Sequence, residues 1–213
     1  AQLAGGGVSL ADALRVRMIN NTIAHNDSTA ANRAAFLDPA NPNLTTPQIA
    51  GVASRPNSAA LAGVLGAQGF SDPLFHDSIL FENRSFYWDG SANGGLGALL
   101  PDPGSPVYSD LGVVGGGGTL TCTDCLLTGG SPSFAEPYFN VLFAAGAGGE
   151  GGNFVSVVFR PLKQTGDYHV TAHNGVGRAA FAPPDFPELA TDLDGQSRPR
   201  TAPLDAGADQ LVP

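Results

Sequence analysis

Two short stretches hold most of the residue types in this chain that could do chemistry, and each is a version of the other. Met18-Ile19-Asn20-Asn21-Thr22-Ile23-Ala24-His25-Asn26-Asp27-Ser28 returns without gaps as Phe75-His76-Asp77-Ser78-Ile79-Leu80-Phe81-Glu82-Asn83-Arg84-Ser85, 57 positions later. The second copy and its flanks carry the carboxylates Asp72, Asp77, Glu82 and Asp89. A glycoside hydrolase needs two such groups facing each other across a sugar, about 5–9.5 Å apart. Strand alternation puts Asp77 and Glu82 on opposite faces, so no catalytic residue is assigned. A calcium-dependent polysaccharide lyase would need an acidic cluster beside a basic proton acceptor. Arg15, Arg17 and Arg84 are available, but no acidic cluster is placed next to them.

Other reactive side chains lead to quieter readings. His25, His76, His169 and His173 are dispersed and read as surface or internally satisfied residues. Cys122 and Cys125 lack the further ligands a zinc site needs, and their flanks read as strand where a redox pair would open a helix. A local disulfide in an exported protein, or two buried thiols, is the simpler reading. Asp192, Asp194 and Gly195 have an oxygen-rich look, yet no Glu closes an EF-hand loop. They read as a turn held by Asp side chains, with weak Ca²⁺ affinity as the ligand alternative. Phe81, Phe86, Tyr87 and Trp88 form the aromatic concentration of the chain; core packing is their commoner fate, and a sugar-stacking platform the alternative. Gly-x-Ser-x-Gly, phosphate-loop and dinucleotide fingerprints are absent from the sequence.

The elements that must position these groups are short. Of 213 residues, 29 are Gly and 17 Pro, while charged residues make up only 14%, against about 25% in ordinary domains. Hydrophobic content of 42% is enough for a packed fold. Asn-, Gly- and Pro-rich breaks, with no amphipathic helix of ordinary length, predict an all-β chain of short strands and many turns. A net charge of −9 excludes a basic surface for nucleic acid. No run approaches the about 18 apolar residues of a membrane span.

Segments 29–50, 101–118 and 129–152 read as loops, the first rich in breakers (Asp38-Pro39-Ala40-Asn41-Pro42-Asn43). Phe154 to Phe159 is the clearest strand pattern, and Ser58 to Gln68 has room for a helical turn or two. Repetition of a strand-and-turn unit predicts stacking, because each unit buries its apolar face only against a neighbour. Asn26 and Asn83 then occupy equivalent turns and act as structural residues, their amides bonding each other and free backbone groups.

Asn20 to Asn26 resembles the strand-and-turn unit of right-handed parallel β-helix proteins of the pectate-lyase-like superfamily. Asp192-Leu193-Asp194-Gly195-Gln196-Ser197-Arg198-Pro199, followed by Asp205-Ala206-Gly207-Ala208-Asp209-Gln210, is similar to the closing signature of large bacterial secreted and surface β-helix proteins. That signature normally ends in Glu where this chain has Gln210. The resemblance implies an all-β fold, a right-handed parallel β-helix (solenoid) with long Gly/Pro-rich loops. Coils with loop excursions would run over 5–165, and a closing strand and cap over 166–213. It further implies one segment of a longer exported chain, located outside the cell or at its surface. Its partners would be upstream coils of the same precursor, other surface proteins or polysaccharide, with no nucleic acid and no membrane insertion. Two functions compete: a structural and interaction protein that presents loops, or a carbohydrate-active enzyme of the β-helix type.

Overall fold

Each copy of the repeat folds as three tiny strands separated by two-residue corners. The first copy gives Arg17–Ile19, Thr22–Ala24 and Asp27–Ser28; the second gives Leu74–His76, Ile79–Phe81 and Arg84–Ser85. The corners demand left-handed backbone, and Asn20 and Asp77 (φ 53 and 47) and His25 and Glu82 (φ 53 and 49) supply it at equivalent places. Asn, Asp and His enter that region at low cost. Glu82 does not, and its N–H is anchored on Thr128 Oγ1 at 2.7 Å. The copies lie side by side in parallel, Met18 opposite Phe75, Ile23 opposite Leu80 and Asp27 opposite Arg84.

This is a computed structural model, and it describes residues 1–64, 68–102, 105–138, 142–145, 156–159, 166–174, 186–199 and 204–211. Two further parallel contacts extend the paired copies. Leu126–Leu127 joins the far edge of Ile79–Phe81, and Val8–Leu10, Val52–Ser54 and Leu111–Val113 form a parallel set of their own. Other pairings run the opposite way: Tyr87–Asp89 with Ala98–Leu100, Arg84–Ser85 with Val107–Tyr108, Phe134–Glu136 with Asp167–Val170, and Leu142–Ala145 with Ser156–Phe159. The strand expected over 154–159 is thus described from Ser156 onward; residues 154 and 155, and 139–141 and 146–152 of the loop 129–152, lie outside the described residues. Ala59–Ala62 is a single helical turn capped by Ser58.

The expectation of a right-handed parallel β-helix is corrected by this arrangement. Among the described residues the strands form separate sheets of two or three members, with no sheet closed and no solenoid. The unit occurs twice, whereas stacked architectures need about three or more repeats to propagate. After the second copy the chain enters the Gly- and Pro-rich stretch 101–118. Its Val107–Tyr108 returns antiparallel onto Arg84–Ser85 and takes the edge a third coil would have used. Residues 204–211 pack on the repeat through loop contacts, with Gly207 N donating to Asp77 O (2.8 Å) and Ala208 N to Thr22 Oγ1 (3.0 Å).

The main apolar cluster is Met18, Ile23, Val52, Phe75, Leu80, Val113 and Leu120, drawn from both copies and from the first parallel set. Beside it the fully buried Asn83 carboxamide uses all its bonding capacity. Its Oδ1 accepts from Asn26 N (3.2 Å) and Asn26 Nδ2 (2.9 Å), and its Nδ2 donates to Ile23 O (3.0 Å) and Asp110 Oδ1 (2.8 Å). The fit is close enough that Gly51 has to be glycine: a Cβ there would sit 2.1 Å from Asp110 O and 3.0 Å from Asn83 Nδ2. Removing the amide strands several buried groups at once, each costing about 1–3 kcal/mol. Asn83→Ala is expected to destabilise the fold by roughly 2–4 kcal/mol, and Asn83→Asp by more, since a second carboxylate would face Asp110. Denaturant midpoints of the purified variants measure both; a loss within error of zero for Asn83→Ala would remove the amide from its central place.

Candidate functional site

Three places bring polar groups together, and they differ in what is left for a ligand. The first lies between two loops that are far apart in sequence. Trp88, on the strand Tyr87–Asp89, is clamped to the loop before it: Trp88 N donates to Thr45 Oγ1 (2.6 Å), and Thr45 N to Trp88 O (2.9 Å). Leu44 bridges Asp89, and Gly90 N donates to Asn43 O (2.8 Å). Loop 38–44 is itself rigidified by Asp38, whose carboxylate accepts from Ala40 N (2.9 Å) and Asn41 Nδ2 (2.7 Å). Phe36 packs on Ala31 and Trp88, one residue beyond the 3-10 turn Arg33–Ala35, which Asn32 caps. On the other side Gly97, at φ +82, lets the chain pass over the indole; a Cβ would fall 2.0 Å from the Trp88 ring.

These constraints leave a cavity of about 360 Å³ over Trp88, lined by Arg33, Phe36, Asn43, Gly95 and Leu96 among others. Leu96 at its lip is 70% exposed. Among the described residues the Arg33 guanidinium, the Asn43 carboxamide and the Trp88 indole N–H make no hydrogen bond with the protein. Apolar walls with a few unspent, convergent polar groups are the usual make-up of a ligand site.

The second place is the corner His25–Glu82. His25 is buried in an aromatic box of Phe81, Phe134 and Tyr168. Tyr168 O–H donates to Tyr138 O (3.1 Å), so His25 Nδ1, at 3.1 Å, donates to the phenol oxygen. Nε2 then lies 3.4 Å from Glu82 Oε2. Burial, with the Arg84 charge adding to it, pulls the His25 pKa down to about 4, against a weaker opposing pull from the Tyr138 backbone. Burial also raises Glu82, against the opposing charge of Arg84. Arg84 in turn holds Asp27 with two bonds of 2.6 and 2.8 Å. Tyr168, Arg84 and Asp27 are bonded within the chain, and His25 Nε2 has the Glu82 carboxylate facing it beyond hydrogen-bond geometry, so the corner is read as structural.

The third place is the C-terminal loop system. Asp192, buried, accepts from Asp194 N (3.0 Å) and Gln196 N (2.8 Å) through Oδ1, the geometry of a side-chain-stabilised turn. Asp194 points elsewhere, to His169 Nε2 at 2.8 Å, while His169 Nδ1 meets Asp167 at 2.5 Å. Asp209 completes a group whose candidate ligand atoms lie within 4.8 Å of one another. The two weak Ca²⁺ candidates, Asp192 and Asp194, therefore face different partners. The donor set around His169 includes a nitrogen, which is poor for Ca²⁺. Hydrogen bonds to Asp167 and Asp194 raise the His169 pKa, which favours an imidazolium held between carboxylates.

The remaining assigned residues are apart from these places. Asp77 is buried among the residues that surround Arg198, Asp72 is exposed, and Asp89 is engaged by Ser91. Phe86 and Trp88 are buried. Cys122 and Cys125 are joined as a disulfide, and Asn26 and Asn83 meet amide to amide. Sequence reasoning missed Arg33 and Asn43 altogether; the one signal was their placement in a breaker-rich loop. No protein-family model, curated protein or solved structure matches the chain.

The His25 corner gives a pH dependence with a definite sign. An unfolded chain takes up a proton on His25 near pH 6.5, the folded one only near 4. The unfolded state therefore binds more protons in that window, and stability falls as pH drops through it. The loss expected from His25 is on the order of 2–3 kcal/mol. It is absent in His25→Asn, a residue that tolerates the left-handed backbone. Unfolding curves at a series of pH values check this; parallel profiles for the two proteins would show that His25 does not titrate as described.

Proposed function

We propose that this chain is an exported structural and interaction protein whose loops hold a binding site for a partner at the cell surface. The observation that carries the reading is the cavity over Trp88. Two loops, meeting across about forty residues of sequence (Trp88 to Thr45, 43 positions), are fastened rigidly around a space whose polar groups are unspent. Loops positioned by a rigid scaffold are where binding groups concentrate. The Cys122–Cys125 bridge supports an oxidising compartment, and a net charge of −9 suits a soluble surface with no affinity for nucleic acid. The carboxylates of Asp27, Asp110, Asp192 and Asp205 are engaged by groups of the chain itself.

The test is an array of cell-surface glycans and peptides probed with the wild-type protein and with Leu96→Glu and Phe36→Ala. Leu96 is exposed, so its change leaves folding intact and alters only the lip. Features captured by the wild type are expected to be lost with both variants. Capture that survives both substitutions, or an array with no captured feature, would take the ligand role away from this cavity.

A further inference from the structure

We propose that His169, Asp194 and Asp209 form a site for one divalent transition-metal ion of the zinc class. The three come from separate pieces of chain: the strand Asp167–Val170 and the described stretches 186–199 and 204–211. One candidate ligand atom from each lies within 4.8 Å of the other two. The two loops are tied backbone to backbone, Leu193 N donating to Ala208 O at 3.0 Å, and Asp194 and Asp209 each follow a residue of that bond.

The group that points to a ligand is Asp209. It is only 6% exposed, and a buried charge has to be paired or to coordinate an ion. A carboxylate has about four acceptor sites, yet Val170 N (2.7 Å, on Oδ2) is the only donor that reaches it among the described residues. The Arg198 guanidinium is shared electrostatically among Asp192, Asp209, Asp205 and Asp77, all four of them buried. It donates to the carbonyls of Asp205 and Gly207 and to none of these carboxylates. His173, on Asp205, is the other basic group there. Asp192 adds to the deficit: 9% exposed and two residues before Asp194 in the same turn, it keeps Oδ2 without a bond. A doubly charged cation beside Asp194 and Asp209 offsets this excess of buried negative charge.

The chemistry of the donors selects the ion. Asp167 Oδ1 accepts from both His169 N and His169 Nδ1, which holds the ring by its far side and aims Nε2 at Asp194 Oδ2, 2.8 Å away. A carboxylate on the outer nitrogen is the usual support of a metal-bound histidine, since it fixes which nitrogen ligates and raises its basicity. The proton between Nε2 and Asp194 is replaced by the ion and released to solvent. One imidazole nitrogen with two carboxylate oxygens suits Zn²⁺ and its transition-row neighbours, whereas Ca²⁺ and Mg²⁺ take all-oxygen sets. The side chains of His169 and Asp194 are 44% and 40% exposed, so an ion has a way in and room for water as a further ligand. Once bound, it joins the strand Asp167–Val170 to both C-terminal loops.

The experiment titrates metal-stripped protein near neutral pH with Zn²⁺ and, separately, with Ca²⁺, by calorimetry and by histidine side-chain ¹⁵N spectra. The wild type is compared with His169→Gln, Asp194→Asn, Asp167→Asn and His173→Gln. All four side chains are 38–48% exposed, which favours retention of the fold, and an amide spectrum of each variant verifies it. Zn²⁺ is expected to bind one to one and to shift His169 Nε2, with Ca²⁺ silent at the same concentrations. Asp167→Asn is expected to weaken Zn²⁺ by about 10–100-fold, His169→Gln and Asp194→Asn by at least as much, and His173→Gln not at all. No saturable Zn²⁺ binding, affinity unchanged in His169→Gln or Asp194→Asn, equal affinity for Ca²⁺, or an equal loss in His173→Gln would each overturn the proposal. None of these residues lines the Trp88 cavity, so the two sites stand or fall separately.

Discussion

A single buried carboxamide ties the structure together. Asn83 bonds backward to Asn26 and Ile23 in the first copy of the repeat and forward to Asp110, which leads into the strand Leu111–Val113. Its own carbonyl takes Ser109 N at 2.8 Å. Three segments of chain, about sixty residues apart at the extremes of one bond (Asn83 to Ile23, 60), are thereby fixed in register. Strands of two to four residues have too few ladder bonds to choose a register for themselves, and the amide does it for them. Asp110 plays a double part, since its second oxygen accepts from Thr128 N at 2.9 Å and so draws the Leu126–Leu127 strand into the same knot.

That constraint explains how much was legible in the sequence. Parallel neighbours put residue i beside residue i plus a constant, so Met18 and Phe75, Ile23 and Leu80, and the two Asn could be read off as a pair of aligned strings. The same string could not reveal where propagation stops. Val107–Tyr108 turns back antiparallel because of chain geometry in a Gly- and Pro-rich stretch, and two residues have no periodicity from which direction can be read. The β-helix expectation failed at that point: a local rule that holds for two copies was extended to coils that the intervening segments do not form. Asp110 was equally hidden, as an Asp ahead of Leu-Gly-Val looks like any turn residue.

Gln210 shows a resemblance carrying information that only contacts can interpret. The bacterial signature that this stretch resembles ends in Glu, and here an amide stands in its place. In the folded chain the Gln210 side chain is buried, donates from Nε2 to Asp205 Oδ2 at 2.9 Å and accepts Asp205 N at 3.0 Å. Asp205 Oδ2 also accepts from Leu211 N and faces His173 Nδ1 at 2.9 Å. A carboxylate at 210 would set two anions face to face without water between them, a cost that the amide avoids. The departure at this position is therefore matched to its surroundings.

The cavity over Trp88 was the least legible feature, for a reason that also supports assigning it a role. Its lining comes from a loop, a strand end and a second loop, none with a periodic pattern, and its polar groups are commonplace taken singly. Around it the fold uses several polar groups for its own bonding: Thr45 on Trp88, Asp38 on Asn41, Asp89 on Ser91. Rigid walls with uncommitted donors are the arrangement expected when the remaining partner comes from outside the chain.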